Sequence, residues 1–257
     1  AATFAAMVAF KAGQIHFILR PVMVSFLCFS VTYLHCLREE QSSEKRLKAA
    51  RVGLLAVLFL LWANMHPGFV LGLFMLAVLC GVQVLKALVK KQSWDGARCA
   101  FAYLIAAVLA TCINPYGLTL HRSIFALQQS DYFMNLHEEW LPVRLGTPEG
   151  DLCVFIAALL IAAAVFGRGP RRIGTPFSIL LVLVFAYACF DAVRMVPFFG
   201  IVASYPLACA LRALGRHSIC SASRPFARLC SAFSLIEARE QAARKGYGLL
   251  GAISAVL

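Results

Sequence analysis

From Val52 to Leu85 the chain carries no Asp, Glu, Lys or Arg. As a single helix that run would measure about 50 Å at the usual rise per residue, far more than the roughly 30 Å hydrocarbon core of a bilayer. His66-Pro67-Gly68 stands in its middle, and a Pro-Gly pair marks a turn. The run is therefore predicted to be a tight helical hairpin, two passes through apolar surroundings joined at His66.

Further apolar runs cover 21–37, 99–113, 151–166, 177–190 and 197–211. Several fall short of a full crossing, so their helices are expected to extend into the flanking residues. Apolar residues make up 61% of the 257 and charged ones only 14%, against about half and a quarter in soluble domains. That balance excludes an ordinary water-soluble enzyme and a disordered chain. The predicted fold is all-α, a polytopic membrane bundle with about seven full crossings and partial spans at both ends. Residues 1–10 read as the end of an earlier span and 248–257 as the start of a later one, so both termini are expected to be cut ends of a longer protein.

The net charge of +12 does not point to nucleic acid, because the basic residues cluster between the apolar runs, as in membrane proteins. With the hairpin counted as two crossings, four basic loops fall on one side. They hold Arg38, Lys45, Arg46, Lys48 and Arg51; Lys86, Lys90, Lys91 and Arg98; Arg168, Arg171 and Arg172; and Arg212, Arg216, Arg224 and Arg228. The positive-inside rule makes that side cytoplasmic, and these loops read as solvated basic connectors. If 52–85 crossed once, the later loops would flip and the asymmetry would collapse. Residues 1–228 are expected to form the membrane domain, with an outer surface segment at 118–150. Residues 229–257 are expected to form a cytoplasmic amphipathic segment leading into a further span.

The same topology gathers polar residues on the outer side. Arg20 stands against the charge bias there and either anchors a helix start before Pro21 or meets an anion such as a phosphate. Asn64 and His66 either cap the hairpin turn or hydrogen-bond a ligand. Asn114-Pro-Tyr-Gly117 has turn composition. Trp140 suits the aromatic belt of a membrane interface. Glu138 and Glu139 are either a solvated pair or, if Trp140 shields one of them, a base. Asp191 and Arg194 are spaced to pair on one helix face, unless Arg194 grips an anionic ligand. Within 118–150, His121, Ile124, Phe125 and Leu127 suggest a helix lying on the surface, with Phe133, Leu136 and Trp140 dipping inward. No cofactor or metal is expected, since no second His or acid stands at ligand spacing beside His66. The ten cysteines include no CxxC and read as buried, reduced, small apolar residues.

The segments FILRPVMVSFL, LLWANMHPGFVLGL, INPYG, EEWLP and RMVPFFGIVASYPLA together resemble a group of bacterial polytopic membrane proteins in the broad GT-C glycosyltransferase-like class. That group carries Arg-Pro, Trp-x-Asn-x-His-Gly-Gly-Phe, Asn-Pro-x-Gly, Glu-Trp and Arg-x-x-Pro in the same order. The resemblance spans roughly residues 17–208. It implies sugar transfer from a polyprenyl-phosphate carrier at the outer face of the bacterial inner membrane. Glu139 would be the catalytic acid–base group, with Arg20, Asn64, His66, Asn114, Trp140 and Arg194 binding substrate. Two departures stand out: Pro67 replaces a glycine of the group's motif, and the acid that such enzymes carry in an early outer loop has no counterpart. A non-catalytic scaffold subunit with membrane-protein partners is the alternative. A transporter ranks behind both, because the charges sit at run ends and no internal repeat is visible.

Overall fold

A computed structural model describes residues 2–13, 20–42, 46–91, 93–130, 138–167 and 173–215. The described residues are helical, with no strand among them. The helices are α1 (Ala2–Gly13), α2 (Val22–Gln41), α3 (Ala49–Met65), α4 (Phe69–Lys90), α5 (Asp95–Thr111), α6 (Leu118–Gln128), α7 (Pro148–Phe166), α8 (Pro176–Asp191) and α9 (Val196–Gly215). Short 3-10 turns lie at Glu138–Trp140 and Val193–Met195.

The apolar runs between residues 21 and 211 lie in helices except for Pro21, Cys112 and Ile113 at their edges, and each of these helices extends into at least one flank as expected. Four segments, Val22–Gln41, Phe69–Val89, Pro148–Phe166 and Val193–Leu214, are long and apolar enough to cross a membrane. Helices α3, α5 and α8 have 17, 17 and 16 residues, a rise of about 25 Å. Large apolar side chains point outward along these helices, among them Leu61, Phe101, Leu109, Ile161, Val165, Leu183 and Phe190. Such surfaces suit lipid rather than water. In lipid, backbone polar groups must bond within their own segment, which is what a helix achieves.

The run from Val52 to Leu85 is broken where expected. His66 has extended dihedrals, φ −160° and ψ 139°. Proline disfavours helical geometry in the residue before it, so Pro67 ends α3 there. The hairpin is not packed along its length, however. α3 and α4 touch over few residues, and α5 packs along both of them instead. Gly72 permits a close approach near the turn, since a Cβ there would lie 2.5 Å from the Trp62 ring.

The chain divides into two compact units. In the first, α2–α6, α2 packs on α4 and α3 while α5 fills the flank of α3 and α4. Phe29, Phe59, Trp62, Phe69, Met75, Leu76, Leu79 and Tyr103 are fully buried in it. In the second, α1, α7 and α8 each pack on α9, around Ile156, Phe177, Leu181, Phe199 and Val202. Thr147 caps α7 by accepting from the Gly150 amide. Thr175 and Ser178 form a reciprocal capping box at the start of α8. Both helices have Pro at the first position, where a missing N–H costs nothing.

One expectation about the basic loops is corrected. Arg51 and Lys86 are not merely solvated connectors: Arg51 pairs with Glu39, and Lys86 Nζ lies 2.8 Å from Glu40 Oε1. α2 runs on past Leu37 to Gln41, and this extra turn carries both glutamates inward, where they are buried. His35 and Tyr103 pack edge to face beside them, with ring centroids 4.7 Å apart. A helix does follow Gly117, α6. Asp131, Phe133, Leu136, His137, Lys45, Arg168, Arg171, Arg172, Arg216, Arg224, Arg228 and segment 229–257 lie outside the described residues.

Candidate functional site

The first unit brings together, at one end, residues that are remote in sequence. That end comprises the start of α2, the end of α3, the start of α4 and the end of α5.

Arg20 immediately precedes Pro21 and α2. Its Nη1 donates to Glu139 Oε1 at 2.6 Å. The carboxylate is held by the short turn Glu138–Trp140. Both side chains remain about half exposed, 51% for Arg20 and 45% for Glu139. An ion pair so placed contributes roughly 0–1 kcal/mol, so a stronger anion can take the guanidinium. Trp140, partly buried, follows directly in the same turn.

One helical turn into α2, Ser25 is fully buried. Trp62 Nε1 donates to its Oγ at 2.7 Å, and the same oxygen lies 2.7 Å from His66 Nδ1. The Gly68 amide also donates to His66 Nδ1, at 3.0 Å. A nitrogen that accepts from a backbone amide carries its lone pair there, so Ser25 donates to it and the ring proton of the neutral imidazole belongs on Nε2. Trp62, Ser25, His66 and Gly68 thus form a directed chain that fixes the α3–α4 turn against α2. Gly68 is required for this: a Cβ would stand 2.4 Å from Ser25 Oγ.

Asn64 uses both amide protons at the same end, donating to Leu60 O at 2.8 Å and Ile113 O at 3.0 Å. It ties the end of α3 to the end of α5. Asn114 organises its own turn. Its Nδ2 donates to Thr111 O and Gly117 O, and its Oδ1 accepts from the Tyr116 amide at 2.8 Å. Gly117 takes the left-handed φ of 52° that glycine alone adopts at no steric cost. Thr111 gives its hydroxyl proton to Val108 O, so the 3.2 Å contact to His121 Nε2 is one in which the histidine donates. The His121 ring also meets Phe69 edge to face, 5.3 Å between centroids. In this way α6 is pinned to α4 and α5.

Of the residues singled out in the sequence, Arg20, Asn64, His66, Asn114, Glu139 and Trp140 therefore belong to this unit, and Arg20 meets Glu139 directly. Arg194 belongs to the second unit. It sits partly buried in the 3-10 turn between α8 and α9, with Asp191 exposed at the end of α8. The side chain of Glu138 lies outside the described residues. Ser25 and Thr111, which complete the hydrogen-bond chains, carried no sequence signal: a lone hydroxyl in an apolar helix looks like filler. Among the described residues, no three His, Cys, Asp or Glu side chains gather as a metal site would.

No protein-family model, curated protein or solved structure matches the chain.

Proposed function

We propose that this chain is a multi-pass protein of a bacterial inner membrane, with about seven crossings and its basic loops in the cytoplasm, and that it transfers a sugar from a polyprenyl-phosphate donor at the outer face. The observation that carries this reading is the exposed Arg20–Glu139 pair, seated at the end of the first unit that the charge pattern places outside.

The pair is suited to exchange partners. A phosphate offers the guanidinium a bidentate, charge-assisted contact stronger than one exposed carboxylate oxygen. Donor binding would take Arg20 and leave Glu139 free as a base. Glu139 would accept the proton of the acceptor hydroxyl as its oxygen bonds to the anomeric carbon. The bond from that carbon to the phosphate oxygen breaks, and Arg20 stabilises the charge on the departing polyprenyl phosphate. Trp140 offers an apolar face beside the carboxylate. The prenyl tail would lie along lipid-facing helix surfaces, where each buried methylene contributes about 0.8 kcal/mol.

Asn64, His66 and Asn114 take a supporting part in this scheme. Their polar atoms hold the rim from which Arg20 and Glu139 project. The test is transfer from a polyprenyl-phosphate-linked sugar in membranes containing the chain. Loss of transfer in both Arg20→Ala and Glu139→Gln supports the assignment, and unchanged turnover in either rejects it.

A non-catalytic scaffold is the second reading. It is favoured by the same internal hydrogen bonds, because Asn64 and Asn114 use both amide protons within the chain. Stable co-purification with a membrane-protein partner, without any transfer, would decide for it.

A further inference from the structure

α2 is exposed along a single line. Within it only Leu27, Leu34, Arg38 and Gln41 are open to the surroundings, with Leu27 67% and Leu34 51% exposed. Phe26 on one flank of that line and Cys28 on the other are buried. Leu34 follows Leu27 by seven positions, and Leu27 follows Arg20 by seven. Two helical turns return a residue to nearly the same side, so the three share one face if the helical path reaches back to Arg20. It does: the Met23 amide donates to the Arg20 carbonyl at 3.0 Å, and Pro21 has helical dihedrals, φ −54° and ψ −23°.

The result is an apolar seam with a cation at its head. At the usual rise per residue, Leu27 lies about 10 Å and Leu34 about 21 Å along the helix from Arg20. Half-buried Val24 and Val31 fill the line between them. The Ser30 hydroxyl at its edge donates to the Phe26 carbonyl of its own helix at 2.7 Å, so the seam offers hydrocarbon rather than polar atoms. Other helices of the first unit show wider apolar faces, such as Leu54, Val57 and Leu61 on α3 or Phe101, Ile105 and Leu109 on α5. Neither helix has a Lys or Arg at the end where Arg20 stands, so nothing there distinguishes one lipid from another.

We infer that the Leu27–Leu34 seam is the track for the hydrocarbon tail of a polyprenyl phosphate whose head displaces Glu139 from Arg20. The inference rests on the reading above in which Arg20 takes the donor's phosphate, and it adds where the tail runs. A seam one side chain wide between buried flanks fits one chain, whereas a phospholipid carries two. Head and tail are covalently joined, so a phosphate held by charge-assisted hydrogen bonds keeps the tail at high local concentration beside Leu27 and Leu34, and the tail does the same for the head.

The experiment is photo-crosslinking of the full chain in phosphatidylcholine vesicles that contain a tritium-labelled polyprenyl phosphate. Leu27, Leu34 and, as a lipid-facing control, Phe101 are replaced in turn by photoreactive p-benzoylphenylalanine. The expected result is several-fold more label at positions 27 and 34 than at 101, falling to the level of 101 when Arg20→Ala is added. Equal labelling at all three positions would overturn the track. Displacement of the probe by phosphatidic acid as readily as by unlabelled polyprenyl phosphate would overturn the single-chain assignment. A transfer assay on the same vesicles separates this inference from the reaction: Arg20-dependent transfer with uniform labelling refutes the track alone, and selective labelling without transfer upholds the track and refutes the reaction.

Discussion

Arg20 Nη1 and Glu139 Oε1 stand 2.6 Å apart although 119 positions separate them along the chain. No local rule links a residue ahead of α2 to a turn beyond α6. Their meeting depends on α2, the α3–α4 turn and the end of α5 sharing one end of the first unit.

Removing either partner should therefore separate chemistry from stability. Arg20→Ala and Glu139→Gln are each expected to lower sugar transfer by about 100-fold or more, the usual cost of losing a group that meets developing charge. Thermal unfolding in detergent should shift little, because an exposed pair contributes only about 0–1 kcal/mol. A large fall in melting temperature with transfer intact would reverse the roles assigned to this pair.

Gly68 and Gly53 make a matched comparison. A Cβ at Gly68 would meet Ser25 Oγ at 2.4 Å, whereas Gly53 has nothing within 4 Å. Gly68→Ala should destabilise by about 1–3 kcal/mol through overpacking. Gly53→Ala, in the exposed body of α3, should be neutral or stabilising by up to about 1 kcal/mol. Equal effects in a denaturation series would show that the Ser25 contact does not constrain the turn.

The hydrogen-bond chain behind that turn has its own signature. Ser25→Ala would leave the buried Trp62 indole N–H without its acceptor, at a cost of about 1–3 kcal/mol. Indole fluorescence should change with it, since Trp62 is fully buried and bonded to Ser25. Wild-type stability in Ser25→Ala would contradict the network.

At the basic end, the Lys86–Glu40 pair gives a fourth test. Removing one member of a fully buried pair costs about 3–5 kcal/mol. Glu40→Ala should fall toward the lower end of that range, because Lys86 keeps 19% of its side chain in contact with solvent. Replacing both residues with methionine should recover much of the loss, since no buried charge is then left alone. If the double variant is less stable than Glu40→Ala, the single charge was not what destabilised it.

Much of the architecture was legible because membrane helices announce themselves by uncharged length. His66-Pro67-Gly68 was readable as a break because Pro67 acts on its immediate neighbour. Asn114-Pro-Tyr-Gly117 was readable as a turn for the same local reason, and Asn114 uses its amide within that turn. What stayed hidden depends on packing. α5 separates most of α3 from α4, which no count of apolar residues reveals. Glu39 and Glu40 sit just past an apolar run beside many basic residues, so they look solvated. Only the extra turn of α2 carries them inward. Ser25 matters through Trp62 and His66, which lie in another helix and its turn.

The most direct measurement is sidedness labelling with a membrane-impermeant maleimide, in intact cells and in a chain otherwise depleted of cysteine. Pro67→Cys, in the α3–α4 turn, is expected to react from outside. Lys48→Cys, at the start of α3, is expected to react only after permeabilisation. Reaction of both from the same side, or the reverse pattern, would contradict an outer rim built around Arg20 and Glu139.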